Sequence, residues 1–266
     1  MIPSFHMEAG NRCFDPRVPE EINRKIIDHI ADINLPYSSI AREYLLREGI
    51  AAERIVVTGS PMAEVLHYYR ESIESSEILE TLSLKKNSFY AVSLHREENV
   101  DRPERLEKFV SMLNSLAADD GLPVVMSTHP RTRSRLMGIN TQIHPLVRLL
   151  EPLSFSEFVH LQTRAVAVLS DSGTISEEAS ILGFKAINLR DTHERPEAME
   201  QASVMMVGSS LERLRQALAI LRNQGKDDFS QINRPNDYKH VNVAEKVSRI
   251  IHSYVDVVRR NNRLSG

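Results

Sequence analysis

With 266 residues, 41% of them apolar and 26% charged, the chain can bury the core of one large domain or of two modest ones. Its net charge of −3 and pI of about 6.4 provide no basic surface, so we expect neither nucleic acid nor an anionic membrane as a partner. The single cysteine, Cys13, excludes an internal disulfide, and no apolar stretch approaches the roughly 20 residues that span a bilayer. His6 and Glu8 make the N-terminus too polar for a signal peptide, and these features together predict a cytoplasmic protein.

The first part of the chain is predicted to be helical. Pro19 suits the first turn of a helix within 15–35. Four isoleucines repeat on one face at helical spacing: Ile22, Ile26, Ile30 and Ile33. A shorter helix over about 39–48 ends at Gly49, a favourable C-cap residue, and the sequence 58–61 then marks a candidate domain boundary.

Strands alternate with helices over the rest of the chain. Short β-branched runs occupy 54–57, 90–94, 124–128, 166–170, 186–190 and 204–208. Helical patterns occur at about 103–117, 155–163, 175–182, 210–222 and 241–258. This alternation predicts an α/β protein whose parallel sheet is covered on both faces.

Polar side chains follow four of these runs where each predicted strand ends. The segments are His95-Arg96-Glu97-Glu98-Asn99, His129-Pro130-Arg131, Asp171-Ser172-Gly173-Thr174 and Asp191-Thr192-His193-Glu194-Arg195. Ligands of open parallel sheets bind beyond the carboxyl ends of the strands. We therefore expect a binding site at this edge of the sheet.

The Ser172-Gly173-Thr174 turn is a candidate phosphate site. It joins a predicted strand to a helix N-terminus, where free backbone N–H groups and the positive end of the helix dipole attract anions. An ordinary N-cap is the alternative, because Ser and Thr are favoured there in any case. Glu178, one turn further along, could accept hydrogen bonds from a ribose diol or could be a solvated helix residue.

The remaining candidates are isolated in the sequence. His95 and His129 belong to no HxxxH or CxxC pattern, so each is a site residue or a structural histidine, and we expect no metal. Glu8 is a strand-end acid or a loop residue, and Glu20 is a site residue or the helix partner of Arg24. No GxSxG, GxGxxG or P-loop pattern occurs, so we expect no nicotinamide or ATP cofactor.

Five segments together resemble the non-hydrolysing UDP-N-acetylglucosamine 2-epimerase family over residues 2 to about 258. They are His6-Met7-Glu8-Ala9-Gly10, Pro19-Glu20-Glu21-Ile22-Asn23-Arg24, the segment from His95 to Asn99, Asp171-Ser172-Gly173-Thr174 with Glu177-Glu178, and Glu194-Arg195-Pro196-Glu197. Several of them are more similar to the branches that act on modified UDP-sugars. Thr174 replaces the last glycine of the family's Ser-Gly-Gly motif, which leaves the individual phosphate contacts open.

The resemblance implies a GT-B-like fold of two Rossmann-like domains with parallel sheets. Residues 1–59 would be the second half of an incomplete N-terminal domain, 60–238 the UDP-binding C-terminal domain, and 239–266 a helix that returns to the N-terminal domain. In the family, a hundred or so residues precede the part that this chain resembles, and they include a catalytic Asp and a phosphate-facing Arg and Lys. It therefore implies that this chain alone has little or no activity, although it still binds UDP, and that the intact protein is a homodimer.

The chemistry that the resemblance implies is inversion at C2 of a UDP-2-acetamido sugar for bacterial surface polysaccharides, by elimination and re-addition of UDP. Glu8 and Glu20 match the family's catalytic glutamates, and His95 matches its active-site histidine. The implied UDP ligands are Ser172, Gly173 and Thr174 for the diphosphate, Glu178 for the ribose, Phe158 through its backbone for the uracil, and Arg195, with Arg96 and His129 close by. The alternatives are a GT-B glycosyltransferase and a non-catalytic UDP-binding fragment.

Overall fold

The computed structural model describes residues 2–16, 18–224 and 234–264, and they form two compact units. The first unit contains the described residues of 1–68, 192–201 and 234–266, and the second contains those of 69–191 and 202–233. The sequence predicts a boundary after residue 59 and places 60–238 in one domain, whereas 60–68, 192–201 and 234–238 belong to the first unit. No helix among the described residues is long and apolar enough to cross a membrane.

The secondary-structure elements are numbered in chain order. The strands are β1 (Phe5–Met7), β2 (Ile33–Leu35), β3 (Tyr90–Ser93), β4 (Val124–Ser127), β5 (Val147–Leu150), β6 (Val168–Ser170), β7 (Ala186–Asn188) and β8 (Met205–Met206). The helices are α1 (Pro19–Ile30), α2 (Ser39–Arg47), α3 (Met62–Tyr68), α4 (Arg70–Glu74), α5 (Ile78–Thr81), α6 (Glu97–Val100), α7 (Pro103–Asp120), α8 (Pro130–Met137), α9 (Phe155–Arg164), α10 (Ile175–Leu182), α11 (Pro196–Glu200), α12 (Leu211–Asn223) and α13 (Val243–Leu264). Single 3₁₀ turns occur at Ala52–Arg54 and Asn236–Tyr238.

The first unit contains a parallel pair of strands, β1 and β2, connected by α1. The prediction that Ile33 belongs to the first helix is wrong, because the chain becomes extended at Ala31 and Ile33 lies in β2. There Ile33 and Leu35 pack against Ile250 and Val258 of α13, which accounts for their burial. The other three isoleucines of the predicted stripe remain half or more exposed. Helical spacing alone therefore did not identify a buried face.

Residues 54–57, which the sequence predicts to be a strand, do not form one. A 3₁₀ turn ends at Arg54, and Ile55 makes one isolated parallel bridge with Asn34.

The second unit contains a six-stranded parallel sheet in the order β5-β4-β3-β6-β7-β8. Apolar clusters cover both faces, the larger one packed around α7 and α12. The predicted α/β class with parallel sheets is confirmed. Strand β5 was not predicted, because this edge strand is only partly buried and carries Arg148 in its middle. The strand order reverses between β3 and β6, and crevices at such switch points bind ligands.

Candidate functional site

The carboxyl ends of β3 and β6 are joined by Asp171, whose side chain is fully buried. Its carboxylate accepts hydrogen bonds from the backbone N–H of His95 at 3.1 Å and of Arg96 at 3.0 Å. It also accepts from the Asn99 side chain at 2.9 Å, and His95 Nδ1 lies 3.3 Å from Asp171 Oδ1. The loop after β3 is thus held against the loop after β6 by one carboxylate. Sequence reasoning placed Asp171 in a family motif but did not identify this function.

A cavity of about 210 Å³ opens beside these loops, within the second unit. It is lined by Ser93, His95, Ser127, Leu153, Ser154, Phe155, Phe158, Val159, Gln162, Ser170, Ser172 and Glu178. The lining combines two aromatic rings with several hydroxyl groups and one carboxylate. Such a mixture of an apolar wall and a few converging polar groups is typical of small-ligand sites.

The Ser172-Gly173-Thr174 turn precedes α10, as the sequence predicts. Thr174 is the N-cap residue, but its side chain makes no capping hydrogen bond. Instead Thr174 Oγ1 donates to Glu178 Oε1 at 2.7 Å and lies 2.9 Å from Ser172 Oγ. Ser172 N–H donates to Ser170 Oγ at 3.0 Å, and Thr174 N–H donates to Ser172 Oγ at 3.3 Å. The plain N-cap alternative therefore does not describe Thr174, whose hydroxyl orients a cavity carboxylate.

Glu178 is a buried carboxylate and not a solvated helix residue, with 9% of its surface exposed. Its Oε1 accepts from Thr174 and its Oε2 accepts from Gln162 Nε2 at 2.7 Å. Burial raises the pKa of Glu178 above its usual value, although the two hydrogen bonds act in the opposite direction. Each carboxylate oxygen keeps further acceptor capacity for a ligand in the cavity.

Of the other site residues predicted in the second unit, two line the cavity and two do not. His95 and Phe158 line the cavity, and the His95 side chain is 46% exposed. Arg96 is the N-cap residue of α6, and its backbone N–H binds Asp171. His129 is exposed and caps α8, where its Nδ1 accepts from the backbone N–H of Arg131 at 3.3 Å. It is not among the residues that line the cavity.

The first unit contains the predicted acids Glu8 and Glu20 and also Arg195. Glu8 has a positive φ of 62°, and its Oε1 accepts from Arg195 Nη1 at 2.6 Å and from Asn11 at 3.1 Å. Burial acts to raise the pKa of Glu8, but Arg195, Arg24 and Asn11 outweigh it, so that the pKa lies below its usual value. The 7% exposed Arg195 side chain also lies over the Tyr37 ring, 5.8 Å from its centroid.

The loop that carries Glu8 is stabilised by Asp28, which is fully buried on α1. The Asp28 carboxylate accepts from the backbone N–H of Gly10 at 3.2 Å and pairs with Arg12 at 2.7 Å. His6 Nδ1 lies 2.8 Å from the same carboxylate. These contacts on both sides of Glu8 maintain its unusual backbone conformation.

Glu20 lies in the first turn of α1 and is partly buried. Arg24, its expected helix partner, donates to Glu194 at 2.6 Å. On the same helix Lys25 pairs with Glu21 at 3.5 Å. Among the described residues, no group of three or more His, Cys, Asp or Glu side chains could hold a metal ion.

Sequence reasoning did not identify Gln162, which is 1% exposed and lines the cavity beside Glu178. The helical pattern at 155–163 contained it, but a lone glutamine within an amphipathic helix has no recognisable signal. Its contact with Glu178 joins α9 to α10, and this packing exists only in the folded unit.

Comparison with known proteins identifies the family. The family model for UDP-N-acetylglucosamine 2-epimerase matches residues 1–252. A relative from Methanocaldococcus jannaschii, named UDP-N-acetylglucosamine 2-epimerase, is 33% identical over 94% of this chain and 69% of its own length. A Pseudomonas aeruginosa relative, named UDP-2,3-diacetamido-2,3-dideoxy-D-glucuronate 2-epimerase, is 32% identical over 79% of this chain and 58% of its own length.

Solved structures agree with these matches. The structure of UDP-N-acetylglucosamine 2-epimerase from Rickettsia bellii has a TM-score of 0.88 and 42% identity over 97% of this chain and 69% of that chain. A Methanocaldococcus jannaschii UDP-GlcNAc 2-epimerase in complex with UDP-GlcNAc and UDP has a TM-score of 0.83 and 33% identity, over 93% of this chain and 68% of that chain. This chain therefore spans between about three-fifths and two-thirds of the length of these relatives. It belongs to the UDP-N-acetylglucosamine 2-epimerase family.

Proposed function

We propose that the protein inverts C2 of a UDP-2-acetamido sugar by elimination and re-addition of UDP. The observation that carries the proposal is the cavity of the second unit, where the Ser172-Gly173-Thr174 turn, Glu178 and Phe158 line or border one space. Membership of the family and the UDP named in the related structure support the same ligand.

Each part of UDP has a matching group in this unit. The N-terminus of α10 presents its first N–H groups and a positive dipole end to the diphosphate, and Ser172 lines the same cavity. The buried Glu178 supplies two acceptor oxygens for the ribose hydroxyls, and the backbone of Phe158 is assigned to the uracil by resemblance. Arg96 and His129 are assigned to the UDP site by resemblance alone.

The acid–base roles of Glu8, Glu20 and His95 also follow from the resemblance. Removal of the C2 proton needs a base, and return of a proton from the opposite face needs an acid. The lowered pKa of Glu8 favours its ionised, proton-accepting form at neutral pH. Arg195, assigned to the nucleotide by resemblance, is proposed to act on Glu8 as well, since the two side chains form an ion pair.

Calorimetric titration with UDP tests the binding site. Glu178→Ala should weaken UDP binding by about 1–3 kcal/mol, the usual effect of losing hydrogen bonds to a charged group. Glu212→Ala removes an exposed helix glutamate of the same unit and is the matched control, which should bind UDP as the parent does. Unchanged affinity in Glu178→Ala would show that the ribose assignment is wrong.

Exchange of the C2 hydrogen tests the reaction. An epimerase transfers deuterium from D₂O to C2 of its UDP-sugar without any acceptor, whereas a glycosyltransferase does not. NMR against a panel of UDP-sugars, including UDP-N-acetylglucosamine and UDP-2,3-diacetamido-glucuronate, also identifies the substrate. The chain should be measured alone and with the N-terminal residues of a relative placed before it, because it spans about two-thirds of the length of these relatives. Binding of UDP without exchange in both forms would favour the transferase or a non-catalytic binding protein.

The cellular context belongs to the same proposal. A homodimer, a cytoplasmic location and a supply of precursors for surface polysaccharides are assigned by family resemblance. Light scattering of the purified protein tests the first of these directly.

A further inference from the structure

The Gln162 side chain has one polar atom that its neighbours leave without a partner. The residue is 1% exposed and lines the cavity of the second unit. Its Nε2 donates to Glu178 Oε2 at 2.7 Å, whereas its Oε1 is buried and has no hydrogen-bond partner among the described residues. A buried acceptor without a donor is costly, and buried polar groups in folded proteins are nearly always bonded.

The orientation of this amide follows from its contact with Glu178. Gln162 Nε2 lies within hydrogen-bond distance of Glu178 Oε2, and a carboxylate oxygen accepts from an NH₂ group. Thr174 donates to the other oxygen of the same carboxylate, so both neighbours act as donors. The amide oxygen of Gln162 is therefore the atom without a donor, and a ligand bound in the cavity that this residue lines would supply one.

We propose that Gln162 Oε1 accepts a hydrogen bond from one hydroxyl of the ribose diol, so that Gln162 and Glu178 together select a ribonucleotide. The inference rests on the proposed UDP site and adds to it a second ribose-binding residue. Neighbouring acceptor atoms on two side chains match a vicinal diol, which presents two donors side by side. The remaining polar lining consists mainly of serine hydroxyls and His95, which can donate as well as accept.

The two functions of the Gln162 amide explain its burial between α9 and α10. The NH₂ group holds the Glu178 carboxylate in one position, and the oxygen extends the acceptor surface by one atom. A site that hydrogen-bonds a substrate hydroxyl discriminates against analogues that lack it, because the buried acceptor is then left unpaired. Discrimination between ribose and deoxyribose is therefore the property to measure.

Calorimetry with UDP, 2′-deoxy-UDP and 3′-deoxy-UDP tests the proposal. The parent protein should bind UDP more tightly than at least one deoxy analogue. In Gln162→Met this preference should fall by about three- to tenfold, the effect of losing one hydrogen bond. A merely structural role of Gln162 would weaken all three ligands equally and leave their ratio unchanged.

Gln216→Met is the matched control. Gln216 Nε2 donates to Glu212 on the exposed face of α12, so this variant removes a glutamine–glutamate hydrogen bond in the same unit. Its preference for UDP over the deoxy analogues should equal that of the parent. Gln162→Asn, which keeps the amide but withdraws it by one methylene, replaces Gln162→Met if the latter does not fold.

Three outcomes would overturn the inference. Equal affinity of the parent for UDP and both deoxy analogues contradicts it without any variant. An unchanged preference in the folded Gln162 variant shows that the amide oxygen does not contact the ribose, although the UDP site stands. Failure of the parent to bind UDP at all overturns the proposed function and this inference together.

Discussion

The fully buried Asp171 permits a quantitative prediction for the second unit. Asp171→Asn retains the shape of the side chain but replaces one acceptor oxygen by an NH₂ group. Oδ2 accepts from His95, Arg96 and Asn99, so the amide oxygen should take its place, and the NH₂ group then faces the His95 N–H in the position of Oδ1. We expect this substitution to destabilise the unit and to loosen the loop that carries His95.

The magnitude follows from the bonds that change. The NH₂ group beside the His95 N–H and the loss of charge from the three bonds to the remaining oxygen together cost about 2–4 kcal/mol. With a urea dependence of about 2 kcal/mol per molar, the unfolding midpoint should fall by roughly 1–2 M. The chain has no tryptophan, so the transition is followed by far-UV circular dichroism.

Asp191→Asn is the control for this measurement. Asp191 pairs with Arg105 at 2.7 Å, but its side chain is 57% exposed. Exposed ion pairs contribute about 0–1 kcal/mol, so this variant should unfold near the parent midpoint. If Asp171→Asn were no more destabilised than Asp191→Asn, the reasoning about the buried carboxylate would be refuted.

Four further predictions concern titration, stability and cofactors. Spectrophotometric titration should leave Tyr90 protonated up to its pKa of about 12, because burial and then Asp120 raise it, and Tyr90→Phe should remove this last step. Glu178→Gln should weaken UDP binding, and its stability should gain on that of the parent as pH rises. Burial raises the Glu178 pKa, so the parent loses stability as pH rises through that pKa, and the gain should disappear on acidification. Arg195→Met should raise the pKa of Glu8 in a carbon-13 NMR titration, because burial remains when the ion pair is removed. Exhaustive chelation should not change UDP affinity or C2 exchange, because elimination at C2 needs no metal.

Each of these four predictions would be contradicted by a specific result. A tyrosine titration complete near the usual pKa would contradict the buried environment of Tyr90. Equal stability of Glu178→Gln and the parent across the pH range would mean that burial of the carboxylate costs little. An unchanged Glu8 titration in Arg195→Met would exclude the ion pair as its cause, and loss of binding on chelation would reveal a metal requirement.

Local patterns in the sequence were sufficient for much of the second unit. The predicted helix at 175–182 has the bounds of α10, and the β-branched runs at 90–94, 124–128 and 166–170 contain β3, β4 and β6. Buried strands of a parallel sheet need continuous apolar residues, and helices that cover them need an apolar face every three to four residues. Both requirements act over short stretches of chain and can be read from the sequence.

The sequence also predicted the turn before α10 and Glu178 as candidate site residues, but not what surrounds them. The Asp171 contact with His95 joins residues 76 positions apart, and the ion pair between Arg195 and Glu8 joins residues 187 positions apart. Gln162 lines the cavity beside Glu178 only because α9 packs beside α10. Such contacts depend on which strands become neighbours and how helices pack on them, and no local pattern contains that information. The sequence by itself determined the class of fold and the chemistry of single positions, whereas tertiary packing decided which carboxylates are buried, which are paired and which amide completes the cavity.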